Sequence, residues 1–339
     1  MAQSLAVKYR PSKWEDVIGQ ESVVKILTKQ IETGAIKNAY LFTGITGAGK
    51  TTASRLLATE INKAPDSYIE IDAASNNSAE KMRAIVKSAQ ERSIDYKYKI
   101  FIIDEVHALS NQAWQVMLKC LEEPPEFTIF ILCTTDAQKI PTTILNRVQR
   151  FNISRISEDN IFKRLQYICE QENLVHFEDT ISYISKTSDG SMRTAISLLE
   201  KCAALSTDLD INITLSILGA APFSLLIKLT NALIDSQIHT IFTCMSDIDS
   251  SYPDLKIFLD RYIDFILDIL KYYIFKTLSV TSIPSNLEKE IKNLLAIENA
   301  QKYFQYVLDK LLSLKQIIKN DSNIQSSIEI VFLQIARGK

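Results

Sequence analysis

The sequence predicts an α/β protein with a parallel sheet, followed by helical segments. Three observations carry this reading. Short apolar runs alternate with helix-patterned stretches over the first 155 residues. One run opens into a glycine-rich loop that is followed at once by a helix start, "LFTGITGAGKTTASRLL" (Leu41–Leu57). Past Ile156 the strand signals stop and helical periodicity takes over.

In chain order, the first strand is read at Ala39–Thr43. After it, Gly44, Gly47 and Gly49 fall within six residues and lead into Lys50 and Thr51, the spacing G-x-x-x-x-G-K-[ST]. Glycine permits positive φ and lets backbone N–H groups close around a polyphosphate. The helix that follows adds the partial positive charge of its N-terminus. In such a cradle Lys50 reaches the β and γ phosphates and Thr51 ligates Mg²⁺. The plainer alternative is a glycine-rich turn before an ordinary helix; the strand before and the helix after weigh against it.

Further strands are read at Tyr68–Ala73, Lys99–Asp104 and Thr128–Thr134, with a fifth at Arg150–Ile153. "KIFIIDEVHAL" (Lys99–Leu109) ends in two adjacent carboxylates, and the carboxyl ends of parallel strands are where such sheets meet their ligands. Asp104 is expected to hold Mg²⁺ and Glu105 to polarise an attacking water; a solvated strand end is the alternative for both. A lysine, a metal ligand and a water-positioning carboxylate are the inventory of phosphoryl transfer, so ATP hydrolysis is the leading reaction. "FILCTTDAQKIPTTILNRVQRF" (Phe130–Phe151) puts Thr134 and Thr135 at a neighbouring strand end, within reach of a γ-phosphate. Arg147 lies too far along to fold back onto the same nucleotide and is a candidate finger into a neighbour's site, against the alternative of a surface arginine. In "SDGSMRTAISLLEKC" (Ser188–Cys202), Ser191 reads as an N-cap and Arg193 falls in the first helical turn. A cation there opposes the helix dipole by ~0.3–1 kcal/mol. A bound γ-phosphate would offset that, whereas a head group snorkelling into water is the alternative.

Ser157-Glu158-Asp159 reads as a helix start, opening a small helical domain that runs to about Ser206. The polar break "STDLDIN" (Ser206–Asn212) precedes a last all-helical region. The expected domains are therefore 1–156, 157–206 and 207–339. In the last, Asp260, Asp264, Asp268 and Lys271 form one polar stripe on an otherwise apolar helix, which suits either the centre of a bundle or an oligomerisation surface.

Composition narrows the classes. With 339 residues, 46% hydrophobic and 23% charged, the chain can bury a sizeable core and is not of disordered type. Its most apolar late stretch, Tyr262–Leu278, is broken by Asp264, Asp268, Lys271 and Lys276, so no membrane partner is expected. Five cysteines without C-x-x-C spacing argue against a zinc site or a disulfide framework. A net charge of −2 gives no strong field for nucleic acid, so any DNA contact should be local or shared with neighbouring subunits.

Several blocks then become specific together. "VKYRPSKWEDVIGQ" (Val7–Gln20), the phosphate loop, "IEIDAAS" (Ile69–Ser75), "DEVHALS", "LEEPPE" (Leu121–Glu126), "CTTDAQKIPTTIL" and "DGSMRTAISLLEK" resemble the gamma/tau subunits of the bacterial DNA polymerase III clamp loader. The resemblance is close over roughly residues 5–205 and rests on length and helical character beyond. It implies an AAA+ P-loop ATPase: an α/β nucleotide-binding domain, a small helical lid and a helical collar. It also implies that Arg10, Pro11 and Val17 pack on the adenine, while Gly44, Gly47, Ala48, Gly49, Lys50, Thr51 and Thr52 form the Walker A cradle for ATP. Asp104 and Glu105 match the Walker B pair, with Thr51 and Asp104 on Mg²⁺. Thr135 matches sensor 1, Arg147 the finger acting in trans and Arg193 sensor 2. The implied partners are other clamp-loader subunits in a ring of five, a sliding clamp and primer-template DNA. Asn76, Lys81 and Arg83 are candidates for the DNA path, with a solvated helix face as the alternative.

The sequence departs from that family in three places. Only "NKAPDS" (Asn62–Ser67) stands where the family carries a zinc-binding cysteine module, so no zinc is expected. Asn146-Arg147-Val148 replaces the usual Ser-Arg-Cys and keeps the arginine. The sequence ends at Lys339 without a proline-rich extension, a short form that would suit a phage or a reduced genome, while the lack of a signal peptide or membrane span leads us to expect the cytoplasm of a bacterial cell. Competing readings are an archaeal or eukaryotic type small clamp-loader subunit, a six-membered branch-migration motor on duplex DNA, and a structural subunit that binds nucleotide without cutting it.

Overall fold

A computed structural model describes residues 3–176, 178–217, 221–251, 255–318 and 323–338. The chain forms two compact units, Met1–Leu165 with Thr187–Ser197, and Gln166–Lys186 with Leu198–Lys339.

The first unit contains α1 (Leu5–Lys8), α2 (Glu21–Glu32), β1 (Ala39–Thr43), α3 (Lys50–Asn62), β2 (Tyr68–Asp72), α4 (Ala79–Ala89), β3 (Lys99–Asp104), α5 (Asn111–Glu122), β4 (Thr128–Thr134), α6 (Thr142–Leu145) and β5 (Gln149–Asn152). Its five strands are all parallel, in the order β2-β3-β4-β1-β5. Being apolar on both faces, the central strands are covered on both. Leu41, Phe101, Ile103, Phe130 and Leu132 face Met82, Trp114 and Met117 of α4 and α5. Their alternates Tyr40, Phe42, Ile100, Ile102, Ile129 and Ile131 face Leu27 of α2 and Leu57 and Ala58 of α3. Side chains alternating at a period of two produce this split. Two strand limits differ from the sequence reading. The second strand stops at Asp72, although Ala73 N still donates to Asp104 O at 2.9 Å, and the fifth is shifted to Gln149–Asn152.

Helices α7 (Glu158–Gln171), α8 (Glu178–Thr187) and α9 (Met192–Ala203) carry the chain back and forth between the units, with the strand β6 (Val175–His176) before α8 and β7 (Asp208–Leu209) after α9. The reading that strand signals end at Ile156 is corrected here. β6 and β7 pair in parallel, and two residues each are too few to show a period of two.

The second unit is completed by α10 (Ile211–Ile217), α11 (Phe223–Ile234), α12 (Ile238–Ser251), α13 (Leu255–Phe275), α14 (Glu288–Leu294), α15 (Ala300–Ile317) and α16 (Ile324–Arg337). Its core is mainly aliphatic, with Phe258, Tyr262, Phe265, Phe304 and Phe332 buried within it. α13 packs along α15 and also touches α12 and α16, the position of a central bundle helix. Its polar stripe is used within the chain. Asp260 pairs with Lys315 at 2.7 Å. Buried Asp268 accepts from Ser282 N at 2.7 Å and from Lys271 at 2.9 Å.

A candidate nucleotide site

The phosphate loop takes the backbone its glycines allow. Gly44, Gly47 and Gly49 have φ of 152°, 77° and 111°. A Cβ on Gly44 would strike the Ile153 carbonyl, and one on Gly47 would strike Ser191 Oγ. The loop thus depends on glycine both for torsion and for close approach. Gly44 N donates to Thr134 O at 3.3 Å, tying the loop to the end of β4.

Lys50, only 5% exposed, opens α3. Its Nζ donates to the carbonyls of Gly44 (2.9 Å) and Ile45 (3.0 Å), which hold the ammonium at the mouth of the loop. Thr51 Oγ1 donates to Asp104 Oδ2 at 2.6 Å, and Asp104 Oδ1 accepts from Glu105 N at 2.9 Å. Thr51 and Asp104 together are a pair of hard oxygen donors, the type Mg²⁺ takes from a protein while water and phosphate fill its other positions.

Glu105 sits at φ 50°, a left-handed conformation rare for a residue with a side chain. Its Oε2 accepts from Thr135 Oγ1 at 3.2 Å and lies 3.3 Å from His107 Nδ1. His107 Nδ1 is also 3.1 Å from Thr134 Oγ1. Thr134 is fully buried and its hydroxyl bonds the Asp136 backbone, so of the two threonines only Thr135 bonds the Glu105 carboxylate. His107 was given no role by the sequence reading; the sole signal was its place three residues after Asp104.

A cavity of about 360 Å³ gathers most of the residues singled out in the sequence, a volume within the ~300–1,000 Å³ usual for small-molecule sites. Arg10, Pro11 and Val17 line it with Gly47, Ala48, Gly49, Lys50, Thr51, Thr52 and Arg193. Tyr9, Ile18, Arg164, Met192 and Ile196 also line it and were missed, being apolar or ordinary in sequence. Its lining combines apolar side chains, Pro11, Val17, Ile18, Met192 and Ile196, with the cations Arg10, Lys50, Arg164 and Arg193. Gln20 holds the N-terminal arm in place, its amide giving to Ser154 O (2.8 Å) and taking from Ser154 N (3.1 Å).

Arg193 stands in the first turn of α9, as expected. Ser191 Oγ caps that helix by accepting from Thr194 N at 3.2 Å, and Arg193 N donates to the Gly47 carbonyl at 3.4 Å. Burial first, then the nearby Arg55 cation, lowers the pKa of the Arg10 guanidinium; the Glu70 carboxylate, which Arg55 also bonds, opposes the shift, and Arg193 adds a smaller lowering. Cations crowded in this way favour a polyanionic ligand, whose charge relieves their repulsion.

Other candidates lie elsewhere. Arg147 does not line the cavity; its guanidinium bonds Glu122 and the Thr143 carbonyl. Asn76 Nδ2 donates to Asp72 O at 2.8 Å and Lys81 Nζ to Ser75 O at 2.6 Å, while Arg83 is exposed on α4. Among the described residues no group of three or more His, Cys, Asp or Glu side chains is placed to hold a metal, and no helix is long and apolar enough to cross a membrane.

Comparison with known proteins adds four matches. Residues 62–157 match the family profile described as "DNA polymerase III, delta subunit". The chain is 36% identical over 292 residues to the DNA polymerase III subunit tau of Bacillus subtilis (strain 168), covering 80% of this chain and 52% of that one. It is 32% identical over 358 residues to the DNA polymerase III subunit gamma of Buchnera aphidicola subsp. Schizaphis graminum, covering 98% and 97%. The chain thus spans about half of the Bacillus relative and nearly all of the Buchnera one. Among solved structures, the Thermotoga maritima RuvB Holliday junction branch migration motor aligns with a TM-score of 0.52 at 19% identity, over 75% of this chain and 90% of that one. At that identity the likeness is one of fold, the AAA+ α/β fold.

Proposed function

The chain belongs to the gamma/tau family of bacterial DNA polymerase III subunits, the ATPases of the sliding-clamp loader, and from that premise we propose how its residues bind and cut ATP. Pro11 and Val17 flank the adenine with Arg10 beside them, and the loop from Gly44 to Thr52 wraps the phosphates. Lys50 turns its ammonium to the β and γ phosphates, and Thr51 and Asp104 would supply the protein oxygens for Mg²⁺, which would neutralise charge on the phosphates. Glu105 orients the water that attacks the γ-phosphorus, with Thr135 fixing the carboxylate. As the water oxygen bonds the γ-phosphorus, the bond to the β–γ bridging oxygen breaks with its electron pair on ADP, and the water's proton leaves with the inorganic phosphate. Arg193 reads the γ-phosphate in its own subunit, and Arg147 reaches the γ-phosphate of the adjoining one.

The observation that carries this reading is the convergence of Lys50, Thr51 and Arg193 at one cavity, with Asp104, at the carboxyl end of a strand of the parallel sheet, bonded to Thr51. Residues 1–156 serve as the nucleotide-binding domain, 157–206 as the lid and 207–339 as the collar of a five-membered ring. ATP favours the ring that grips an opened clamp, primer-template DNA completes the active sites, and hydrolysis favours release, a population shift driven by each ligand's differential affinity. Asn76, Lys81 and Arg83 contribute to the DNA path, in the cytoplasm of a bacterial cell. The RuvB likeness, being one of fold, carries no branch migration to this chain.

The test is Lys50→Ala in the assembled complex. ATP turnover stimulated by clamp and primed DNA is expected to fall at least a hundredfold, on the order of other losses of transition-state charge stabilisation. Undiminished turnover would remove the assignment.

A further inference from the structure

Arg147 follows the short helix α6, and two acceptors of its own chain receive its guanidinium. Nη1 donates to the Thr143 carbonyl at 2.6 Å, and Nη2 to Oε1 of Glu122, at the end of α5, at 2.7 Å. Two nitrogens on two acceptors fix the plane of the fork, which a single contact would leave free to turn. The base beneath it is firm: Ile144 is buried and Val148 packs partly buried against the sheet core.

The side chains of Arg147 and Glu122 are 34% and 43% exposed, so their ion pair adds little to folding. Stability is therefore a poor reason for the pair, and orientation is a better one. We infer that Glu122 is a positioning residue for Arg147, holding the guanidinium with the Thr143 carbonyl so that its remaining N–H groups meet a neighbouring subunit's γ-phosphate already aligned. This rests on the trans role proposed for Arg147. An exposed pair of this kind is too weak to withhold an arginine from a triphosphate. It suffices to bias a flexible side chain among rotamers, which reduces what must be ordered when the neighbour arrives.

The experiment compares Arg147→Ala, Glu122→Ala, Glu122→Gln and the Glu122→Ala/Arg147→Ala double variant in the loader complex, with ATP, clamp and primed DNA. Arg147→Ala is expected to lower kcat by about 10³-fold, the lower range for an arginine finger. Glu122→Ala is expected to lower kcat on the order of three- to tenfold through misalignment, with ATP affinity and Tm unchanged. Glu122→Gln keeps an acceptor oxygen and should lose less. The double variant should be no slower than Arg147→Ala, because a residue acting through the arginine has nothing left to position. If Arg147→Ala turns over normally, the trans reading fails and takes the inference with it. If Arg147→Ala is crippled and Glu122→Ala is normal, only the inference falls. Faster turnover in Glu122→Ala, the mark of a restraint, overturns it, as does a double variant slower than Arg147→Ala.

Discussion

Arg193 and Lys50 line one cavity but are asked for different things. Lys50 is proposed to serve the β-phosphate, which ADP keeps, as well as the γ, whereas Arg193 is proposed to read the γ-phosphate alone. Arg193→Ala should therefore weaken ATP binding about tenfold to a hundredfold, matching the ~1.5–3 kcal/mol of a charged hydrogen bond, with ADP affinity nearly unchanged. Titration with fluorescent ATP and ADP analogues measures both, and equal losses would count against γ-phosphate sensing. At this scale the placement of Lys50 and Thr51 at the head of a helix behind a glycine loop was legible because the spacing of the residues is local. His107 and Glu122 were not. Each is distinguished by a contact made in space, Glu122 with an arginine 25 positions later, and no periodicity encodes such a pairing.

The phosphate loop and the start of α9 are fitted to one another. Gly47 has no room for a Cβ beside Ser191, and its carbonyl accepts from Arg193 N. The turn after β2 has its own electrostatic lock: Asp72 takes Ser75 Oγ at 2.8 Å and Ala74 N at 3.0 Å. These donors, Ser75 foremost, hold its carboxyl below the ordinary value of 3.8. A lowered carboxylate pKa adds stability above the unfolded value and loses it as pH falls through the folded one. Asp72→Asn should accordingly lower Tm at pH 7, and the gap to the parent should narrow as pH drops below 3.8. A gap independent of pH would remove the carboxylate from the account. Among the elements, β4 was legible residue for residue because an unbroken apolar run buried on both faces has sharp ends. β6 and β7 were not, since their pairing is a tertiary event of two residues per strand.

At the level of the whole molecule, the chain passes between its two units at 165/166, 186/187 and 197/198, inside α7, near the end of α8 and inside α9. A reading of linkers depends on proline, glycine and polar runs, and a continuous helix supplies none. The second unit should respond to core substitution as a single cluster. Phe332, fully buried, meets the Tyr262 ring edge-on at 5.6 Å. Phe332→Ala should cost ~3–5 kcal/mol of stability, read by chemical denaturation; a loss under 1 kcal/mol would show that the cluster closes over the gap. All five cysteines are likewise enclosed, and burial raises the Cys169 thiol to about 12 and the Cys133 thiol higher still. Because reactivity belongs to the thiolate, the native chain offers maleimide dyes almost nothing to attack. A single engineered handle at a fully open position such as Ile94 would then report fluorescence from one known place, with every natural sulfur left as it is.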